Sequence, residues 1–167
     1  MEKLVIVGAG GHGSELRSYL LDLGTASELE FLGFIDDGRT PGPFFGTSVV
    51  GGVAALGELA RARPQERIRY ITAFGTNGVR RRVVESIGAL GLENVAPWTL
   101  RHRSAQVGYQ VVIGTGTLLA PNTLITTRVS IGKHCILNVR ASVSHDCQIG
   151  DFVNINPAAT LCGNVVV

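Results

Sequence analysis

An aliphatic residue recurs at every sixth position through the last third of the chain, eleven times without an exception. A period of six fits neither an amphipathic helix nor the simple alternation of a half-buried strand. It is typical of a hexapeptide repeat, whose short strands wind into a parallel β-helix and stack coil upon coil. The repeated positions are Val107, Ile113, Leu119, Ile125, Ile131, Leu137, Val143, Ile149, Ile155, Leu161 and Val167.

The other positions of each hexad agree with this interpretation. The residue after the aliphatic one is often Gly or Asn, and we expect it to form a corner with positive φ. The residue four after it is small or β-branched, so each strand should point one large and one small side chain inward. This predicts a narrow prism with three hexads per turn. Cys135 and Cys147 fall on small inward positions, so packing explains them better than catalysis.

The first hundred residues follow a different pattern. Three apolar strands, in "LVIV", "FLGFIDD" and "RIRYITAFG", alternate with three helical segments. The first of these helices is predicted to end at Gly24. The order βαβαβα implies a small parallel sheet with helices packed on it, a Rossmann-like domain. We therefore predict an α/β domain over residues 1–98 and an all-β domain over residues 99–167.

A glycine-rich loop, "GAGGHG", follows the first strand and opens the first helix, with glycines at 8, 10 and 13. Such a loop brings backbone N–H groups and a helix N-terminus toward a phosphate. Asp36 and Asp37 end the second strand, where they would accept hydrogen bonds from a base or ribose; alternatively, they terminate the strand and cap a turn. A domain of this size suits a nucleotide-linked sugar better than NAD. His12 either contacts ligand or caps the helix.

A second loop, Gly75 to Asn77, follows the third strand on the same carboxyl-end side of the sheet. Ligands gather at that edge in open α/β sheets. Arg80 or Arg81 in the next helix would meet phosphate charge there, although a surface role is equally consistent with the sequence.

A His-Asp pair, His145 and Asp146, lies inside the repeat, where the scaffold needs no titratable group. A carboxylate beside an imidazole fixes its tautomer and raises its basicity, so His145 is a candidate general base. His134 lies at another position that does not point inward and is expected to be a spectator. No histidine has metal-ligand spacing with other candidates, and we predict no metal.

Bulk composition narrows the class of protein. The net charge is +2, which is too small to indicate nucleic-acid binding. Three cysteines without a framework pattern predict free thiols in a reducing cytoplasm. Neither a signal peptide nor a membrane span is expected.

The chain resembles the PglD/NeuD-like sugar acyltransferases of bacterial surface-glycan synthesis. The matching segments are "VIVGAGGHG", "FIDD", "AFGTNGVRRRV" and "SHDCQIGDFVNINPAATLCGNV". The resemblance implies a nucleotide-sugar domain followed by a left-handed β-helix, and acetyl-CoA as the acyl donor. It also implies a homotrimer in which each active site lies between neighbouring β-helices.

The resemblance further implies residue roles. His145 is the expected general base and Asp146 the acid that orients it. The N–H of Gly163 is expected to hold the thioester oxygen, and Asn154 stands where some relatives carry a second His that touches acetyl-CoA. The expected substrate-binding residues are Gly11, His12, Gly13, Asp36, Asp37, Gly75 and Asn77.

The favoured function is acetyl-CoA-dependent N-acetylation of a nucleotide-diphosphate-linked amino sugar. O-acetylation of a sialic acid or a similar sugar is the close alternative, because both would use the same His. Relatives continue for about two further coils, so the chain is expected to be truncated at its C-terminus. A catalytically silent, trimeric nucleotide-sugar-binding module is therefore the alternative of another class. A third alternative, an NAD-dependent redox enzyme, is supported by the glycine loop alone.

Overall fold

A computed structural model describes residues 2–23 and 29–167 of the chain. The chain divides into two compact units, Met1–Pro97 and Trp98–Val167, whereas the sequence predicted the boundary between residues 98 and 99. The predicted helix end at Gly24 lies outside the described residues. Within the described ranges, no helix is both long and apolar enough to span a bilayer.

The first unit is an α/β layer built on a six-stranded sheet in the order β3-β4-β2-β1-β5-β6. All neighbouring strands run parallel except β3 and β4, which form an antiparallel hairpin. Its elements are β1 Glu2–Val7, α1 Gly11–Leu23, β2 Leu29–Ile35, β3 Gly42–Phe44, β4 Thr47–Gly51, α2 Val53–Arg61, β5 Ile68–Thr72, α3 Asn77–Gly88 and β6 Val95–Pro97.

The predicted alternation of three strands and three helices is confirmed as β1, α1, β2, α2, β5 and α3. The central strand β1 shows why this alternation could be predicted from the sequence. Its apolar residues from Leu4 to Val7 are each at most 1% exposed. A strand covered on both faces shows as an unbroken apolar run. The hairpin β3–β4 and the edge strand β6 were not predicted, since strands of three to five residues are too short to show a period.

The second unit is a left-handed parallel β-helix, as predicted. Its two-residue strands form three sheets, in the orders β16-β13-β10-β7, β17-β14-β11-β8 and β15-β12-β9. Partners lie 18 residues apart, as in Leu118↔Ile136, so one turn contains three hexads. The strands are β7 Leu100–Arg101, β8 Gln106–Val107, β9 Val112–Ile113, β10 Leu118–Leu119, β11 Leu124–Ile125, β12 Ser130–Ile131, β13 Ile136–Leu137, β14 Ser142–Val143, β15 Gln148–Ile149, β16 Asn154–Ile155 and β17 Thr160–Leu161.

The interior of the prism is filled as the hexad pattern predicts. Large aliphatic side chains such as Leu137 and Val143 are fully buried, and so are the small residues Cys135, Ala141 and Cys147. Each coil therefore packs against the coils before and after it through a continuous apolar core, which is the main source of stability in stacked repeats.

The corner prediction is wrong in its position. Positive φ occurs at the third residue after the aliphatic one, not at the first, as in Arg128 (53°), Arg140 (61°) and Asp146 (61°). Glycine at the first position has another cause. A Cβ on Gly132 would lie 2.5 Å from the carbonyl carbon of Gly150 in the next coil. Close stacking of backbones, and not a left-handed conformation, therefore excludes a side chain there.

Candidate functional site

The carboxyl edge of the first sheet brings the predicted loops together. The N–H of Gly8 donates to Ile35 at the end of β2, and the N–H of Ala73 after β5 donates to Val7. The glycine loop thus lies between the end of β2 and the loop that carries Gly75 and Asn77. Asn77 is the first residue of α3, so the N-termini of α1 and α3 both lie at this edge.

The two acids at the end of β2 form backbone hydrogen bonds. Asp36 accepts from the N–H of Ala9 at 2.6 Å and from the N–H of Gly38 at 2.9 Å. Asp37 accepts from the N–H of Val53 at 3.0 Å, at the start of α2. These contacts agree with the alternative in which both acids terminate the strand and cap a turn. Each carboxylate oxygen keeps acceptor capacity for a further donor.

Helix α1 begins at Gly11, inside the glycine loop, and Gly13 allows it to approach closely, because a Cβ there would overlap the carbonyl oxygen of Gly8. His12 lies in the first turn and its Nδ1 is 2.9 Å from Oε2 of Glu15. Its Nε2 is buried and has no hydrogen-bond partner among the described residues.

Arg80, which the sequence placed as a possible phosphate contact, is fully buried in α3. Its Nη1 donates to the carbonyl oxygen of Phe74 at 2.7 Å. The side chain therefore holds the loop that precedes α3. The sequence had suggested an exposed position for Arg80, and the structure corrects this.

The β-helix carries the predicted His-Asp pair at the corner between β14 and β15, which we call the His145 corner (residues 144–147). Nδ1 of His145 lies 2.7 Å from Oδ2 of Asp146. Because an ionised carboxylate only accepts hydrogen bonds, Nδ1 carries a proton, and in the neutral ring Nε2 is the nitrogen with the lone pair. The side chain of His145 is 53% exposed, so this lone pair is open to a reactant.

Gly163 lies one coil after His145, and the structure brings these two predicted residues together. A Cβ on Gly163 would fall 2.7 Å from Nε2 and 2.9 Å from Nδ1 of the imidazole. The absence of a side chain therefore provides the space in which the ring lies. No described residue accepts a hydrogen bond from the N–H of Gly163.

Arg128, one coil before Asp146, completes the group and was missed by the sequence analysis. Its Nε lies 2.6 Å from Oδ1 and its Nη2 2.9 Å from Oδ2 of Asp146. The hydrogen bonds from Arg128 and, second, from His145 lower the pKa of the Asp146 carboxyl to about 2. One turn of the coil contains 18 residues. The pair could therefore have been predicted from the spacing of 18 between Arg128 and Asp146.

A groove of about 350 Å³ opens beside the ion pair. Arg128 and Asp146 form one side of it, and the outward residues Val112, Ser130 and Gln148 of β9, β12 and β15 form its floor. The groove gives a reactant access to this corner of the prism. Its lining includes Asp146, the carboxylate that contacts the His145 ring, and this places the groove at the candidate active site.

Two other predicted positions lie elsewhere. Asn154 is in β16, on the sheet opposite the His145 corner, so a single chain does not bring it to His145. His134 is only 5% exposed, and its ring stacks on Phe152 with centroids 5.2 Å apart and planes at 14°. It is therefore a packed residue of another corner. Across residues 2–23 and 29–167, no cluster of His, Cys, Asp or Glu suits a metal ion.

The fold and this corner define a class of protein: a hexapeptide-repeat β-helix with a His-Asp pair, preceded by a parallel α/β domain of the nucleotide-binding type. Comparison with known proteins gives the family. The sequence profile of the PglD N-terminal domain matches residues 3–87, which is half of the chain. The chain belongs to this family, as the resemblance predicted.

Two curated relatives match part of the chain. GDP-perosamine N-acetyltransferase of Escherichia coli O157:H7 is 38% identical over 98 residues, covering 59% of this chain and 43% of the relative. UDP-N-acetylbacillosamine N-acetyltransferase of Bacillus subtilis (strain 168) is 35% identical over 119 residues, covering 71% and 51%. The chain thus spans about half the length of these relatives.

Solved structures match nearly the whole chain. WeeI from Acinetobacter baumannii AYE is 28% identical with a TM-score of 0.84. A mutant of GDP-perosamine N-acetyltransferase from Caulobacter crescentus, in complex with CoA and GDP-perosamine, is 27% identical with a TM-score of 0.86. Each match covers 99% of this chain and 74% of the solved chain.

Proposed function

We propose that the protein transfers an acetyl group from acetyl-CoA to the amino group of a nucleotide-diphosphate-linked sugar, in bacterial surface-glycan synthesis. The observation that carries the proposal is the His145 corner, where the hydrogen bond between Nδ1 and Asp146 leaves Nε2 to act as the base. Asp146 itself lines the groove. The names of the relatives, which are N-acetyltransferases of GDP- and UDP-linked sugars, favour an amine over a hydroxyl acceptor.

In the proposed mechanism His145 is the general base. As the lone pair of the sugar amine attacks the thioester carbonyl, Nε2 of His145 accepts the proton that the nitrogen loses. A C–N bond forms, the C–S bond breaks, and the protonated His145 returns the proton to the departing CoA sulfur. Asp146, which stays ionised because its pKa is about 2, stabilises the imidazolium between these steps.

Gly163 has the second role in this mechanism. Its N–H has no acceptor among the described residues and lies next to the imidazole, so it is free to donate to the carbonyl oxygen of the thioester. Such a donor stabilises the negative charge that develops on this oxygen in the transition state. Asn154 is proposed to donate a hydrogen bond to acetyl-CoA.

The first unit is proposed to bind the nucleotide sugar at its carboxyl edge. Gly11, His12 and Gly13 would face the phosphates, supported by the N-terminus of α1. Asp36 and Asp37 would accept from base or ribose with the lone pairs that their backbone contacts leave. The remaining wall is proposed to be Gly75 and Asn77.

We also propose a homotrimer that works in the cytoplasm. The trimer is supported by the position of Asn154 on the sheet opposite the His145 corner, because a neighbouring subunit would be needed to bring both residues to one site. The cytoplasm is supported by the three free cysteines, Cys135, Cys147 and Cys162.

The test is acetyl transfer by the purified protein to a panel of GDP-, UDP- and CMP-linked sugars, with and without a free amine. We expect an acetamide product with an amino sugar, and His145→Ala should lower turnover about 10²–10⁴-fold. Nucleotide-sugar binding, measured by calorimetry, should be retained in that variant. Transfer to a hydroxyl alone, or binding of the nucleotide sugar without any transfer, would overturn the proposal.

A further inference from the structure

The His145 corner contains an ion pair whose geometry is fixed by the coil. Arg128 and Asp146 are 18 residues apart, so they occupy the same corner in successive turns. Both have a left-handed backbone, with φ of 53° and 61°. The N–H of each donates to the preceding coil, Arg128 to Tyr109 at 3.1 Å and Asp146 to Thr127 at 3.2 Å. The two side chains therefore start from equivalent, tethered backbone positions.

We propose that Arg128 is a positioning residue for the reaction: its guanidinium holds the carboxylate of Asp146 in the one orientation that presents Oδ2 to Nδ1 of His145. The inference rests on the proposed function and adds a residue to its site. The guanidinium contacts both oxygens, through Nε to Oδ1 and Nη2 to Oδ2. Oδ2 then has one lone pair left, and His145 uses it.

A freely exposed ion pair would contribute little, because solvent screens it and two long side chains lose freedom. This pair differs in its bidentate geometry, since two parallel N–H···O bonds fix orientation as well as distance. A short Asp side chain also has few rotamers to lose. The Asp146 side chain is 32% exposed, whereas the Arg128 side chain is 55% exposed. The expected contribution is therefore to orientation and not to stability.

Neighbouring groups offer no substitute for Arg128. The other members of this corner column are Gln110 and Asn164, which carry no charge. Arg128 and His145 are the charged or titratable partners that act on Asp146 in the described chain. Without the guanidinium, the carboxylate is free to rotate away from Nδ1. The proton of the imidazole would then no longer be held on Nδ1, and a proton on Nε2 would block the base.

The first experiment reads the tautomer of His145 directly and does not require catalysis. In ¹⁵N NMR of the imidazoles, assigned with His145→Ala, we expect the wild-type protein to hold the neutral ring with its proton on Nδ1. Arg128→Gln should shift the population toward the Nε2–H form, and Arg128→Lys should restore it only in part, because an ammonium cannot contact both oxygens in a fork. An unchanged tautomer in Arg128→Gln would overturn the proposal.

Arg140→Gln is the matched control. Arg140 occupies the same position of the hexad, has φ of 61° and is exposed, and its guanidinium forms no hydrogen bond or ion pair with a described residue. Its variant should leave the tautomer of His145 unchanged. Equal melting temperatures of the two Gln variants would separate positioning from folding, and a shift in the tautomer caused equally by both variants would overturn the proposal.

The second experiment places the effect on the reaction. Arg128→Gln should lower kcat about tenfold, as expected for a residue that orients a catalytic side chain, with KM for both substrates unchanged. Added to Asp146→Asn, it should cause no further loss, because the residue acts through that carboxylate. A full additional loss, or an effect confined to KM for acetyl-CoA, would overturn the proposal. Failure of the proposed function would instead appear as no transfer by any variant, with the tautomer result intact.

Discussion

At the scale of the residue, the placement of the His145 imidazole depends on residues one turn before it and one turn after it in the coil. Arg128 acts on it through a carboxylate, and Gly163 provides the space for the ring. Neither dependence is local in sequence, yet both follow from the 18-residue register of the coil. The geometry of the candidate site is thus a property of stacking, which is why a rigid repeat suits it.

Replacing Gly163 by Ala separates the two roles proposed for that residue, since alanine keeps the N–H but adds a Cβ. That Cβ would overlap the imidazole, which must move by about an ångström, and such a displacement costs on the order of 10²-fold in turnover. The measurement is kcat for sugar acetylation. Gly88→Ala in α3 is the control, because a Cβ there would meet nothing within 4 Å beyond the backbone of its own helix. Equal activity of the two variants would contradict the steric role.

The depressed pKa of Asp146 gives a pH prediction with a definite sign. The pKa lies at about 2 in the folded protein against an ordinary value of 3.8. The ion pair is therefore complete above about pH 4 and is lost as pH falls through about 2. In ¹³C NMR of the carboxyl we expect a midpoint near 2, raised toward 3.8 by Arg128→Gln. A midpoint near 3.8 in both proteins would contradict the ion pair.

At the scale of the element, the sequence predicts what is periodic and misses what is short. The hexad identified the inward positions of the coil because burial of residues such as Leu137 and Cys135 repeats with the period. It placed the left-handed corner two residues too early, since glycine is compatible both with positive φ and with close backbone stacking. The hairpin β3–β4 was missed because its strands, "GPF" and "TSVVG", are too short to show a recognisable period.

The stacking role of the hexad glycines is testable at Gly132. Its φ is not in the left-handed region, so a substitution there tests contact and not backbone strain. A Cβ would lie 2.5 Å from the carbonyl carbon of Gly150 and 2.6 Å from the nitrogen of Asp151. Gly132→Ala should therefore lower the free energy of unfolding by about 1–3 kcal/mol. Chemical denaturation measures this, and a variant as stable as Gly88→Ala would contradict the explanation.

At the scale of the whole molecule, the sequence predicted the His145–Asp146 contact, but it could not predict where Asn154 lies relative to that pair. His145 and Asp146 adjoin in sequence, so their contact was predictable. Asn154 is only nine residues further, yet half a turn of the coil places it on the opposite sheet. A sequence pattern alone cannot say which residues of different subunits meet, because that depends on the surfaces that the coils present. The assembly must therefore be tested with mixed subunits.

A trimer with active sites between subunits predicts complementation. Suppose each site takes His145 from one subunit and Asn154 from the next. Subunits carrying His145→Ala, mixed by co-unfolding and refolding with subunits carrying Asn154→Ala, would then form trimers in which one of the three sites has both residues intact. With random mixing, about a quarter of all sites are complete, so activity should return to about a quarter of the wild-type value, although each parent is impaired. Sedimentation analysis should give three times the mass of the chain. If both residues of a site came from the same subunit, no mixture would exceed the average of its parents, and the arrangement between subunits would be wrong.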